Sequence, residues 1–294
     1  MAEIFGFDAF SPAEIAERVE TVGVRKARLP LLPMFTLGVL AGGFIGLGAL
    51  YFTLITSDTR LGFTAGRLLG GLAFSLGLIL VVVAGAELFT GNNLLVMAWA
   101  GRRITTGELL KNWSLIYLAN FAGAVGLAVL VALSNHGGFN NHAVALAAVK
   151  IAAAKASLPF WEAFFKGVLC NILVCLAVWL AMAGRNVTDK ILAIVFPISA
   201  FVAAGFEHSV ANMYFLSVGA LLRTQLAPGL VEVADSPVAG FVRNLVPVTL
   251  GNIVGGGLMV ALVYFVVYRW DARGQAEGIT SPPPAGRESS GPPR

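Results

Sequence analysis

Two long apolar runs in this chain are interrupted by the same polar punctuation at the same spacing. Gly85, Glu87 and Asn92 fall in GAELFTGNN, and Gly205, Glu207 and Asn212 fall in GFEHSVANM, 120 positions further on. A carboxylate beside helix-breaking residues is costly midway through a lipid-spanning segment. Broken helices at corresponding places in two halves are a recurrent way to build a site near the bilayer midplane. The chain is therefore expected to be a repeated helical bundle with two broken members, provided that it enters a membrane. Composition meets that condition: 57% of the residues are hydrophobic and 12% charged, whereas soluble domains carry about 25% charge.

Six spans are expected, at 31–57, 66–101, 107–134, 158–184, 188–222 and 244–269. About 20 apolar residues suffice to cross a bilayer. The second and fifth spans exceed that length and carry the interruptions, so each reads as two half-helices, the later halves near 92–101 and 209–217. Ser11, Pro12 and Glu14 form a helix start ahead of Ile15, Val19 and Val22, a capping hydroxyl with proline and an acid in the first turn. Residues 1–28 thus read as an amphipathic cytoplasmic segment, 29–270 as the transmembrane domain, and 271–294, rich in Gly, Pro and Ser, as a disordered cytoplasmic tail. Residues 135–157 read as an amphipathic interfacial helix. Acids at Asp8, Glu14 and Glu17 precede any long apolar run, so no signal peptide is expected.

The net charge of +4 does not point to nucleic acid, because Lys and Arg cluster at the ends of the apolar runs. Their excess falls on the side holding Arg18, Arg25, Lys26, Arg28, Arg102, Arg103, Arg185 and Lys190. The positive-inside rule then puts both termini in the cytoplasm of a multi-pass protein of the inner membrane. Cys170 and Cys175 share one apolar segment and suit neither a disulfide framework nor a metal site.

The repeat extends beyond the breaks. Gly38-Val39-Leu40 matches Gly167-Val168-Leu169, while Asn112, Asn120 and Gly123 match Asn244, Asn252 and Gly255. Six of the chain's twelve asparagines pair in this way, Asn92 with Asn212 included. Three spans followed by three spans place the second half upside down relative to the first. The fold class is thus all-α, with two inverted three-helix repeats whose second and fifth helices are broken.

Where a helix restarts at the midplane, its first N–H groups are unpaired and its dipole end is positive. Thr90 and Ser209 stand where such restarts would be capped, and two converging restarts make an anion-friendly point. Among the histidines only His208 lies at membrane depth, inside the second break. Burial disfavours its charged form and neighbouring Glu207 favours it, so its charge stays open. Glu87 and Glu207 would repel an anionic cargo; they are expected to be structural, with Asn92 and Asn212, accepting hydrogen bonds from unwound backbone. Phe74, Leu78, Leu88 and Phe89 flank one break, and Val174 and Phe201 the other. No clustered nucleophile, metal-ligand set or redox pair stands at membrane depth, so neither an enzyme, a metal nor a cofactor is expected.

GAELFTGN, GVLCNILVCLAVWLA and VAAGFEHSVANM closely resemble the signatures of the formate–nitrite transporter family over about residues 8–270. The resemblance implies an aquaporin-like six-span protomer, a homopentamer with one pore in each protomer, and small monovalent anions and protons as partners. It places His208 at the family's central histidine and Thr90 opposite it. Asn171 takes the position of the asparagine bonded to the histidine's surroundings, and Lys155 that of the lysine attracting anions in the vestibule. The family's narrow apolar rings correspond to Phe74, Leu78 and Phe201 on one side and Leu88, Phe89 and Val174 on the other. FSPAEIAERVE looks like its cytoplasmic N-terminal helix, linked to gating and neighbour contacts.

What the resemblance implies is passive, proton-coupled transport of formate. A nitrite channel of the same family is the alternative, followed by hydrosulfide or short-chain monocarboxylate transport. An aquaporin proper should show paired Asn-Pro-Ala caps, which are absent here, and an ammonium channel should show a pair of pore histidines.

Overall fold

The computed structural model describes residues 9–227, 229–231 and 237–269; the expected tail at 271–294 lies outside them. Every regular element among the described residues is helical. Helix α1 (Pro12–Ala27) is followed by α2 (Leu31–Thr56), and α3 (Gly62–Ile79) continues as a wider π-helical segment to Gly85. After the first break a 3₁₀ segment, Gly91–Leu95, leads into α4 (Val96–Ala100) and then α5 (Thr106–Leu133). The second half holds α6 (Ala143–Ala156), α7 (Phe160–Ala183), α8 (Val187–Ala204), the second break and α9 (Ser209–Leu222). It closes with α10 (Pro237–Ile253), which passes through a π-helical stretch, Val254–Leu262, into α11 (Val263–Tyr268).

Six of these segments are long and apolar enough to cross a membrane: Leu31–Thr56, Thr59–Gly85, Thr106–Leu133, Phe160–Ala183, Val187–Ala204 and Val238–Tyr268. Together with the family established below, they make this a multi-pass membrane protein. Outward-facing Leu32, Phe63, Leu118, Leu133, Phe196 and Val267 are more than half exposed, as suits a surface solvated by lipid tails rather than water. The second and fifth of the six segments end at Gly85 and Ala204, and the shorter helices α4 and α9 follow them in the chain.

Small residues let the spans pack backbone to backbone. A Cβ at Gly123 would run into the Val39 carbonyl of α2, and one at Gly255 into the Val168 carbonyl of α7. The matched pair thus performs the same packing task in each half, where dispersion and close approach hold helices together in the absence of a hydrophobic drive.

Helix α1 begins with the expected capping box. Ser11 Oγ accepts from the Glu14 N–H and the Glu14 carboxylate accepts from the Ser11 N–H at 2.7 Å. The latter bond holds the Glu14 carboxyl below the ordinary carboxylate range. The helix is no loose appendage. Ile15, Ala16 and Val19 pack on Leu94, Met97, Trp179 and Phe265.

Glu20, 1% exposed, lies on the packed face of α1. It accepts from Arg269 Nε at 2.8 Å and faces Arg103 Nη1 at 3.8 Å, tying α1 to the end of the last span. Replacing Glu20 by alanine is expected to cost about 1–3 kcal/mol. That is below the ~3–5 kcal/mol of a wholly buried pair, because both arginines are partly exposed. Limited proteolysis should then cut α1 faster than in the wild type; an unchanged cleavage rate would show that the apolar face alone holds the helix.

Candidate functional site

Both breaks turn on a glycine in the left-handed region, Gly85 at φ +90° and Gly205 at φ +76°, where a side chain would be strained. Beyond each glycine one last amide turns back to the helix, Ala86 N–H to the Val81 carbonyl and Phe206 N–H to that of Phe201, and the chain then leaves the helix until Gly91 or Ser209. The groups so freed are gathered by two buried asparagines. Asn120 Nδ2 donates to the carbonyls of Gly38 (2.8 Å) and Glu87 (2.9 Å), and its Oδ1 accepts from the Phe89 N–H (2.9 Å). Asn252 Nδ2 donates to the carbonyls of Gly167 (2.8 Å) and Glu207 (3.0 Å), and its Oδ1 accepts from the Ser209 N–H (2.9 Å). Buried peptide groups in lipid must find such partners inside the protein. Glu87 N–H donates to the Leu37 carbonyl at 3.1 Å and Glu207 N–H to that of Lys166 at 3.2 Å.

The carboxylates of Glu87 and Glu207 therefore do something other than accept from unwound backbone, as the sequence suggested; the asparagines and neighbouring carbonyls already serve that backbone. Each carboxylate accepts from a lysine and an asparagine side chain instead. Glu87 pairs with Lys26 Nζ at 3.0 Å and with Asn92 Nδ2 at 2.8 Å, and Asn92 Nδ2 also reaches Asn112 Oδ1 at 3.0 Å. Glu207 pairs with Lys155 Nζ at 2.8 Å and with Asn212 Nδ2 at 2.6 Å, and Asn212 Nδ2 also reaches Asn244 Oδ1 at 2.7 Å. The circuit closes alike in both halves: Asn112 Nδ2 donates to the Lys26 carbonyl at 3.1 Å and Asn244 Nδ2 to the Lys155 carbonyl at 2.9 Å.

Lys26 was legible only as a topological charge, yet it is the counterpart of Lys155. The signal was present in the spacing: 155 − 26 and 167 − 38 both give 129. The repeat consequently begins with α1 and α6, one helix earlier in each half than the spans alone indicate. Helix α6 is packed through Val144, Ala145, Ala148 and Val149.

Between the breaks the symmetry fails. His208 is 3% exposed and Thr90 is fully buried, with Thr90 Oγ1 and His208 Nε2 2.9 Å apart. His208 rather than Ser209 caps α9: its Nδ1 accepts from the Ala211 N–H at 3.1 Å. A ring whose Nδ1 is an acceptor carries its proton on Nε2 when neutral. Nε2–H then donates to Thr90 Oγ1, and the threonine's own proton is left to point elsewhere. Thr90 does not cap its restart by a side-chain bond; its hydroxyl is committed to the histidine. Asn171 Nδ2 lies within hydrogen-bonding distance of the Thr90 carbonyl (3.2 Å), Asn93 Oδ1 (2.8 Å) and the Asn252 carbonyl (2.7 Å). It thus ties the first break to α10, whose Asn252 serves the second, and Cys175 Sγ adds a contact to the Thr90 carbonyl at 3.4 Å.

Two cavities approach this pair. The smaller, about 330 Å³, is lined by His208, Phe74, Phe201, Arg67, Lys155 and Phe215. The larger, about 650 Å³, is lined by Glu87, Leu78, Leu88, Lys26 and the inward residues of α1. Phe74 and Phe201 meet edge to face at 5.7 Å, and Phe201 stacks on His208 at 6.0 Å. Leu78 lines the larger cavity with Leu88, while sharing one apolar core with the two phenylalanines. Phe89 and Val174 are buried and line neither cavity, Phe89 packing on Tyr117 and Trp113.

Arg67, overlooked as a site residue, donates to the Val202 carbonyl at 2.7 Å and the Ala203 carbonyl at 2.9 Å. It satisfies the end of α8 at the break. Only the fold brings it there, 135 positions away in sequence from Val202.

A family model described as Formate/nitrite transporter matches residues 13–266. The chain is 42% identical over 272 residues to "Formate channel FocA" of Escherichia coli (strain K12), covering 89% of this chain and 95% of that one. It is 40% identical over 275 residues to "Probable formate transporter" of Methanothermobacter thermautotrophicus, covering 88% and 97%. Among solved structures, "FNT family ion channel" is similar with a TM-score of 0.75 at 31% identity, covering 86% of this chain and 98% of that one. "Pentameric formate channel with formate bound" has a TM-score of 0.71 at 36% identity, covering 81% and 97%. With matched breaks, a buried histidine–threonine pair and a family match across nearly the whole bundle, the chain belongs to the formate/nitrite transporter family, whose members are transporters and not enzymes.

Proposed function

We propose that the protein is a passive, proton-coupled pore for formate in the inner membrane, with both termini in the cytoplasm and five protomers in the assembly. The observation that carries this reading is the His208–Thr90 pair, buried between two lysine-bearing cavities. The formate channels among the relatives and the pentameric, formate-bound neighbour support the substrate and the assembly. The matched hydrogen-bond circuits support two halves inverted about an axis in the bilayer plane.

Lys26 and Lys155 neutralise Glu87 and Glu207, so that neither carboxylate repels a small monovalent anion on its way to the pair. Formic acid titrates like a side-chain carboxylic acid, near pKa ~4, so only about 0.1% is neutral at pH 7. An anion moved between apolar walls loses hydration, and its neutral form becomes the cheaper one. Thr90, whose oxygen accepts from His208, presents its hydroxyl proton to the arriving carboxylate oxygen.

Neutral His208 is a poor proton source, since loss of the Nε2 proton would leave an imidazolate. Charging it at Nδ1 would break the Ala211 cap. In this reading the pair holds and orients the substrate while the proton enters with it from vestibule water, and the neutral acid leaves past the second apolar wall.

Proteoliposome flux under an imposed pH gradient tests the assignment. Formate should move faster than nitrite and its uptake should acidify the lumen. Nitrite flux well ahead of formate would move the protein to the nitrite branch, and formate flux insensitive to the gradient would remove the proton from the mechanism.

A further inference from the structure

The two cavities differ in a way that transport of a small anion does not require. Around the smaller one every cation is engaged: Arg67 on the carbonyls of Val202 and Ala203, Lys155 on Glu207, Lys166 on Glu162. Around the larger one Lys26 is engaged by Glu87, the only acid on its wall. Arg18, Arg25 and Lys190 also line it, and among the described residues none of the three has a carboxylate within 4.0 Å.

We propose that the larger cavity is also a binding site for a soluble, multiply charged phosphate compound, which plugs the pore from the α1 side. A volume of about 650 Å³ falls among pockets that hold ligands of drug size, roughly 300–1,000 Å³, and far exceeds what one formate needs. Arg18 and Arg25 stand two helical turns apart on α1, about 10.5 Å along its axis, and Lys190 faces them from the start of α8. Long arginine side chains rooted that far apart can close on the two ends of one oligophosphate, and the guanidinium fork suits phosphate oxygens.

Arg18 is already placed: its guanidinium lies over the Phe10 ring at 3.8 Å, and Phe10 is pinned by its N–H to the Ala183 carbonyl at 3.2 Å. Arg185 covers Phe10 as well, at 4.4 Å, adding charge at the rim. The positive-inside rule accounts for basic residues on one face of the membrane. It does not account for three of them lining one hollow whose wall carries one acid among the described residues, Glu87, already paired with Lys26.

Binding is tested on the assembled protein in nanodiscs of zwitterionic lipid, with inorganic tripolyphosphate as the probe in calorimetry. The wild type should bind. The double variant R18Q/K190Q should bind at least about tenfold more weakly, as befits the loss of two charge-assisted contacts. Absence of binding, or equal binding by the variant, overturns the proposal. Loss of binding when the discs contain anionic lipid would overturn the soluble ligand in favour of a lipid phosphate.

Flux supplies the second arm and rests on the pore reading above. Tripolyphosphate on the α1 side should block wild-type formate flux, and on the opposite side should not. R18Q/K190Q should keep its flux and lose the block. Equal block from both sides overturns the plug, whereas the calorimetric result stands whatever the transported anion proves to be.

Discussion

Proton-linked formate uptake is expected to be lost when His208 is replaced by phenylalanine, in a protein that still folds and assembles. The ring does two jobs, and they separate. Its Nδ1 caps α9 through the Ala211 N–H, a contribution of about 1 kcal/mol. Its Nε2 faces Thr90 Oγ1 at 2.9 Å, where a fixed donor can act on charge in a dry site; losing such a donor costs about a hundredfold or more in rate.

His208→Asn offers an acceptor that suits an N-cap, so it should recover thermal stability without recovering uptake. Thr90→Val keeps the cap and the shape but removes the hydroxyl, and should lower uptake by about a hundredfold. Initial uptake rates in proteoliposomes with an inward proton gradient, beside a melting curve for each variant, decide the matter. Wild-type uptake by His208→Phe would take the ring out of the pathway.

The bundle and its breaks could be read from the chain because their causes are local. Glycine, a carboxylate and asparagine inside an apolar run leave few foldings open in lipid, and Gly85 and Gly205 sit at the turns expected of them. The pairing of Asn112 with Asn244 and of Asn120 with Asn252 was visible as spacing.

What those asparagines touch was not visible, since it depends on helix rotation. Glu87 and Glu207 were expected on backbone N–H groups and are found on lysines, because Asn120 and Asn252 reach that backbone first. Lys26 escaped notice because an amphipathic helix outside the spans looks like an accessory, and a lysine on it like a topological marker. Arg67 escaped because a cation near a span end is ordinary, and only the packing of α3 against α8 carries it to the break. The cap fell on His208 rather than Ser209, a difference of one residue set by where the extended stretch ends. Leu78 changed walls for a similar reason: it stands four residues after Phe74, at the far end of one helical turn, so the two meet different cavities.

The largest loss of stability is expected from Asn252→Leu, with Asn120→Leu close behind. Each amide serves three backbone groups, and leucine, branched alike but bulkier, serves none. A buried polar group left without a partner costs about 1–3 kcal/mol. The Gly38 and Gly167 carbonyls keep their partners inside α2 and α7, so two groups are orphaned in each variant, together about 2–6 kcal/mol, a large share of the roughly 5–15 kcal/mol by which folded domains are stable. Asn252→Leu also frees the Ser209 N–H, loosening the first turn of α9 next to the His208 cap, so uptake by any protein that does assemble should fall with it. Asn252→Asp retains the acceptor for Ser209 but gives up both donors, and its melting temperature should lie between those of the leucine variant and the wild type. Melting curves and the yield of assembled protein after detergent extraction measure the effect. Wild-type stability in both leucine variants would mean that the broken backbone finds its partners elsewhere. The matched asparagines would then be a relic of duplication rather than the means by which each half keeps a helix open inside lipid.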